Sequence, residues 1–426
     1  MAEGEGNNKL CLTYTMMIGM LIFGTANIII QDLQNQTCAL GNFFTHPYMQ
    51  TSMMFIGELS VFIVYIAKKF YISRQQKDAK DTTPLSPGAQ FAGEKKLKTN
   101  ASPLIFAIPA AFDFTASTLM FIALTMTPPS IYQMMRGFVT VVVALFSVIF
   151  FKRRQHRHHI VGLVCIMAGI IEVGAVAMIK EGGDSSTASG GTVFVGIILI
   201  LLAQVFAGLL FIVEEYFLGG YYLDPLKVVG SEGMWGFGYF LLALPLMQLV
   251  KCSGSSGLST LCNFGYLENS AYAFAQMADN PVLIVYTFGI MVSIAFFNVC
   301  GVTTTKLASA AQRSTVDTSR TVLIWTMSVL LGLEEFYWEP LIGFVFLVFG
   351  TLLYNEIIIL PFAGFDKNTR IAKEQRAAAE KRDAAYMQAS PGAPYSASRN
   401  KNLLNKVRDE QYNVDGDEGD YMMDSD

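Results

Sequence analysis

Five ionisable side chains lie deep inside apolar stretches of this chain: Glu58, Asp113, Arg136, Asp317 and Arg320. Arg136 ends the segment YQMMR, just ahead of GFVTVVVALFSVIFF. A guanidinium stays charged at every ordinary pH. Burying one at a bilayer centre costs roughly 2.5–3.5 kcal/mol on insertion scales. Such a residue is kept where it meets a carboxylate, a water-filled cavity or a solute, so the chemistry on offer is recognition of a charged solute and proton transfer by a carboxylate. Covalent catalysis fits poorly. Glu214 and Glu215 are adjacent and point about 100° apart on a helix. The four histidines, His46, His156, His158 and His159, fall at the ends of apolar segments with no paired nucleophile. The chain reads as a non-enzyme with no cofactor. No residues read as a metal set, and His156 with Arg157-His158-His159 reads as a basic membrane-surface anchor.

The elements that hold these charges are membrane spans. Apolar residues make up 52% of the chain and charged residues 15%, with mean hydropathy +0.41, whereas soluble domains carry roughly 25% charge. A span needs about 20 apolar residues. Ten such segments are predicted, near 10–30, 47–67, 102–126, 129–151, 160–179, 192–218, 228–250, 281–303, 308–331 and 340–361. The first lacks the basic n-region and cleavage site of a signal peptide and is read as a retained span. Lys and Arg on alternate loops set the orientation. One face collects 25 of the 30 basic residues and the other only Lys180 and Lys251, which predicts cytosolic termini.

Ten spans suggest five plus five. Aligning Ser147-Val148 with Ser328-Val329 also aligns Thr140-Val141 with Thr321-Val322 without a gap, and lays Arg136 on Asp317. In inverted repeats, which an odd number of spans per half requires, Arg136 lies about 11 Å below the lumenal end of its span. Asp317 then lies about 14 Å above the cytosolic end of its own. Both fall near the midplane, where repeat-built transporters place their site. Glu58 and Asp113 are at similar depth, and Arg320 is one turn beyond Asp317. That set holds three acids and two bases, leaving one carboxylate without a fixed cation. Each member serves equally well as a buried ion pair that fixes helix packing or as a substrate or proton ligand. Gln133 and Asn298 are candidate polar liners of the same pathway, and helix–helix hydrogen bonding explains Asn298 equally well.

The predicted organisation is an N-terminus at 1–9, a first five-helix repeat at 10–180, a lumenal linker at 181–191, a second repeat at 192–361 and a tail at 362–426. The tail ends in a run from Asp409 to Asp426 with eight acids and no base, which reads as disordered or as a partner segment. Asn35-Gln36-Thr37 is a glycosylation sequon on the lumenal side. Cys252 and Cys262 share a lumenal loop and are a candidate disulfide.

The succession FDFTASTLMFIAL, YQMMRG, FIVEEYF, DPLKVVGSEGMWG, SIAFFNVCGV, RSTVDTSRTVLIW resembles the drug/metabolite transporter superfamily. Within it, the chain is similar to subfamily F of the solute carrier 35 family of nucleotide-sugar-transporter-like proteins, over roughly residues 10–361. Tyr216 departs from the pattern, where a basic residue is expected after the two glutamates, as does Gln312-Arg313. The resemblance implies an all-α bundle of ten transmembrane helices in two inverted five-helix repeats, with alternating access around a central cavity. Glu214, Glu215 and Glu232 would then form a cytosolic gate. The expected function is secondary-active transport of a small organic solute across an endomembrane, with protons as a candidate coupling ion. Two alternatives stay open, a nucleotide-sugar transporter or antiporter and a membrane scaffold with a transporter fold. The net acidic midplane argues against a diphosphate. The expected location is lysosomal, vacuolar or another endomembrane, with a mitochondrial membrane as the alternative. Expected partners are a solute and the bilayer, no nucleic acid, and a second copy or a protein at the C-terminal tail.

Overall fold

The computed structural model describes residues 2–78, 102–124, 126–127, 132, 134–181, 190–251, 264–332, 339–354, 356, 358–360, 369, 372 and 376. Long helices dominate: α1 (Ala2–Asn35), α2 (Pro47–Asp78), α3 (Ala107–Leu124), α4 (Phe138–Phe151), α5 (Arg157–Glu181) and α6 (Gly190–Gly220) come first. They are followed by α7 (Pro225–Leu249), the short α8 (Ser270–Asp279), α9 (Pro281–Leu307), α10 (Ala310–Leu330) and α11 (Glu339–Tyr354). Local chemistry sets several starts. Asp224 and Asn280 cap α7 and α9 through their side chains, each with proline at the first helical position, where its missing N–H costs nothing.

Among the described residues, six segments are long and apolar enough to cross a membrane: Cys11–Asn35, Pro47–Arg74, Pro103–Ala123, Arg157–Val176, Phe194–Gly220 and Pro281–Leu307. Phe138–Phe151 and Leu341–Tyr354 are shorter apolar helices. Large apolar side chains such as Ile63, Val64, Leu241, Leu242, Val285 and Phe288 point outward. In water that surface would be costly, and in lipid it is the expected exterior.

The helices pack chiefly as α5 on α11, α1 on α9, α2 on α7 and α3 on α6. Small residues set the first of these contacts. A side chain at Gly169 would meet the carbonyl of Gly343, and one at Gly162 the carbonyl of Gly350 at 2.9 Å. The two backbones therefore touch, which only glycine permits.

One expected element differs. The sequence predicts an unbroken fourth helix over 129–151, but Arg136 and Gly137 form a turn and α4 begins at Phe138. The amides of Gly137, Val139 and Thr140 each bond three residues back, to Met134, Arg136 and Gly137, at 3.1–3.2 Å. This tighter winding interrupts the α-helical ladder. Gly137 lacks a side chain where Leu347 of α11 closes in. Arg136 thus stands at the entry of a half-helix, not midway along a continuous one.

The end of the bundle opposite the basic loops is capped by non-membrane elements. Strands β1 (Cys38–Ala39) and β2 (Asn42–Phe43) make a two-residue hairpin whose loop, Leu40-Gly41, has φ of 52° and 78°. That is the positive-φ pair a tight hairpin requires. The short helix α8 packs beside this hairpin. Beneath the hairpin, buried His46 bridges Glu268 (2.6 Å) and Gln276 (3.1 Å), and Gln276 donates to the carbonyls of Ala39 and Asn42. Phe44, Met49, Ala273, Met277 and Leu283 fill the space below.

Candidate solute-binding site

A cavity of about 100 Å³ lies at the heart of the bundle, between α1, α2, α3, α6, α9 and α10, with Tyr132 and Arg136 completing its wall. Its ionisable lining is Glu58, Asp113, Asp317, Arg136, Arg313 and Arg320.

Asp317 on α10 sits between two guanidiniums. Arg320, one turn on, brings Nε within 2.7 Å of Oδ1, at an angle that pairs the charges without making a hydrogen bond. Arg136 Nη2 stands 3.9 Å from Oδ2, at the outer limit of an ion pair. Each cation also leans on a ring, Arg320 at 4.5 Å from the Phe297 centroid and Arg136 at 6.0 Å from that of Tyr132. Such contacts add modest electrostatic support. The Arg136 and Asp317 backbones are aligned by Thr140, whose hydroxyl lies 2.8 Å from that of Thr318 and 3.3 Å from the Ser314 carbonyl.

The opposite wall is acidic. Glu58 on α2 accepts a 2.6 Å hydrogen bond from Asn298 on α9, so Asn298 both lines the cavity and ties two helices together. Asp113 on α3 accepts from Ser117, one turn on, at 3.1 Å. Toward the basic loops, Glu214 on α6 forms a buried ion pair with Arg313 of α10, whose guanidinium lies 4.2 Å from the Phe211 ring. Its neighbour Glu215 points elsewhere, to Arg153 at 2.8 Å. Glu232 on α7 is buried, and its Oε1 has no hydrogen-bond partner among the described residues.

The residues expected at the midplane, Glu58, Asp113, Arg136, Asp317 and Arg320, all line this cavity, as does Asn298, a candidate polar liner of the pathway. Of the three expected at a cytosolic gate, Glu214 lies with Arg313 and Glu215 with Arg153, and Glu232 Oε1 has no hydrogen-bond partner among the described residues. Gln133, Cys252 and Cys262 lie outside the described residues. Asn35 is the last residue of α1, and its Oδ1 accepts from Gln50 at 2.7 Å. Arg313 was left out of the midplane set, although Arg313, Asp317 and Arg320 are spaced four and three apart. That spacing marks one helix face and could have found it. Gln204 and Asn27, also in the lining, have no sequence signal that separates them from ordinary packing residues.

Counting by contact changes the balance. Arg320 and Arg313 are committed to Asp317 and Glu214, and Arg136 shares Asp317. Among the described residues, Glu58, Asp113 and Glu232 have no Lys, Arg or His nitrogen within 4.0 Å. Buried charges are normally paired; here Glu58 and Asp113 accept hydrogen bonds from Asn298 and Ser117 but face no fixed cation at ion-pair distance among the described residues.

A helical membrane bundle around a charged internal cavity is the architecture of a solute transporter, and comparison with known proteins gives the same class. The EamA-like transporter family matches residues 82–174. Human solute carrier family 35 member F6 is 33% identical over 344 residues, covering 79% of this chain and 87% of that protein. The mouse protein of the same name is 32% identical over the same shares. An uncharacterized protein of Schizosaccharomyces pombe is 31% identical over 81% of this chain and 98% of its own length. The chain belongs to solute carrier family 35, subfamily F, within the drug/metabolite transporter superfamily. It is a multi-pass membrane transporter of a solute, not an enzyme.

Proposed function

We propose that the chain moves a small cationic or zwitterionic solute across an endomembrane by alternating access, with a cavity carboxylate carrying a coupling proton. The observation that carries this reading is the acidic wall formed by Glu58 and Asp113 beside Glu232, none of which has a cationic side chain at ion-pair distance among the described residues. A nucleotide sugar is disfavoured on two counts. Two of the three cavity arginines are already committed to carboxylates, and about 100 Å³ is well below the roughly 300–1,000 Å³ of drug-sized pockets.

Alternating access needs two halves that exchange roles. The proposed halves are 10–180 and 192–361, linked by 181–191, with ten spans between cytosolic segments 1–9 and 362–426. Helix packing supports an inverted relation that carries α1, α2, α3, α4 and α5 onto α6, α7, α9, α10 and α11. The α3–α6 contact then has its image in α1–α9, α4–α6 in α1–α10, and α2–α9 in α3–α7. The pairs α2–α7, α4–α10 and α5–α11 map onto themselves. The 181-residue shift that carries Thr140 to Thr321 also carries Gly162 and Gly169 to Gly343 and Gly350. These are the four glycines at the α5–α11 contact.

Proton export with solute suits an acidic compartment, which favours a lysosomal or vacuolar membrane. The test is flux into proteoliposomes under an imposed pH gradient, with amino acids, small amines and nucleotide sugars as probes. Gradient-driven uptake of an amine or amino acid that Asp113→Asn removes is the expected result. Flux of none of the three classes, or of nucleotide sugars alone, would overturn the reading.

A further inference from the structure

Three of the four histidines in the chain fall within four residues, His156, His158 and His159, and the solute cavity uses none of them. They stand at the start of α5, beside Glu356, which follows the end of α11. His158 is buried, and its Nε2 lies 2.9 Å from Glu356 Oε1. The His159 ring is 4.1 Å from that of His158, centroid to centroid, and the His156 ring is 5.9 Å from both. One donor atom each from His158, His159 and Glu356 lies within 4.8 Å of the others.

We propose that His158, His159 and Glu356 bind a transition-metal ion of the zinc class, which clamps the start of α5 to the end of α11. The donor set points to that class. Imidazole nitrogens with one carboxylate suit zinc, whereas calcium and magnesium take oxygen ligands. A tetrahedral centre with bonds of about 2.0–2.1 Å separates its donors by about 3.3 Å. His158 and Glu356 stand at 2.9 Å, a few tenths of an ångström closer than that, and side-chain rotation opens the pair and brings His159 in. His159 Nδ1 accepts a long 3.3 Å contact from the His156 backbone N–H, which a metal at that nitrogen would replace. His156, on the same turn, is the nearest further donor.

The supports are rigid, because α5 and α11 touch backbone to backbone through their paired glycines. His158 and His159 sit on α5 itself, where a donor loses little on ordering, and Glu356 lies two residues past the end of α11. The basic surroundings are weaker than the sequence suggests. Arg153 is paired with Glu215 at 2.8 Å, and Lys152, Arg154 and Arg157 extend into the exposed surface. Metal ligands bind in their deprotonated forms, so affinity falls as pH falls.

The test uses the full chain purified without a histidine tag and stripped with a chelator. Zinc is then titrated by calorimetry, metal content is measured, and cobalt serves as a spectroscopic stand-in. One zinc per chain is expected, with magnesium and calcium giving none. His159→Gln and Glu356→Gln should each weaken zinc by more than the roughly 10–100-fold that outer-sphere partners contribute. His158→Ala removes a buried side chain, so its result counts only where its elution profile matches the parent. The two glutamine variants keep the outcome readable if it does not. No zinc uptake, or uptake equal in the parent and both glutamine variants, would overturn the assignment.

Discussion

Replacing Arg313 with glutamine leaves Glu214 buried without its cation. Breaking a buried pair on one side costs about 3–5 kcal/mol, while replacing both partners with apolar residues of similar size is often neutral. Thermal unfolding of purified protein should therefore show a large loss for Arg313→Gln and recovery in Arg313→Met/Glu214→Leu. If the double variant is as unstable as the single, the pair does more than hold α6 to α10. At Asp317 the distances rank the partners, 2.7 Å to Arg320 against 3.9 Å to Arg136. Double-mutant cycles should give stronger coupling for Asp317→Asn with Arg320→Gln than with Arg136→Gln. Arg136→Gln should remove solute flux while changing the unfolding temperature least of the three, because its charge is the least committed. Equal coupling in both cycles would argue that Arg136 is a structural cation.

At the scale of elements, the α5–α11 contact is the most sensitive seam. Gly169→Leu and Gly343→Leu place side chains where backbone already stands, whereas Gly174 on the same α5 has nothing within 4 Å. The first two should yield little monodisperse protein on size exclusion, and Gly174→Leu should behave as the parent. Overpacking typically costs about 1–3 kcal/mol, and a backbone clash exceeds it. Six spans among the described residues were legible from apolar length, whereas α7 and α10 are not among the segments that length and composition alone pick out. The turn at Arg136-Gly137 was not legible, because hydropathy averages over about 19 residues and a one-turn break hardly alters the mean. Gly137 is a helix weakener of about 1 kcal/mol relative to alanine. Whether a helix tolerates that depends on what packs against it, here Leu347 from a helix roughly two hundred residues later.

For the whole molecule, the proposed orientation rests on the lopsided distribution of Lys and Arg. Epitopes at both termini should be cleaved when protease is added to the cytosolic side of sealed organelles. Cys38, exposed and free in the hairpin, should react with an impermeant maleimide only from the opposite side. Labelling of Cys38 from the cytosolic side would invert the arrangement. Deleting 377–426 should leave reconstituted flux unchanged. A cellular defect from that deletion, with Arg136→Gln harmless, would instead favour a scaffold.

Composition and periodicity alone determined that this is a many-helix membrane protein, that its Lys and Arg concentrate in alternate loops, and that a 181-residue shift lays Arg136 on Asp317, the register on which the proposed two halves rest. Those properties follow from local hydropathy and residue spacing, which are written along the chain. The partners of the charges were decided only by tertiary structure. Arg313 meets a carboxylate 99 residues away, Asn298 meets Glu58 across 240, and His158 meets Glu356 across 198. A helix position fixes the direction of a side chain but not which distant helix lies across from it. Net charge was therefore countable from the sequence, whereas the carboxylates left without a cation, Glu58, Asp113 and Glu232, became visible only once the helices were packed.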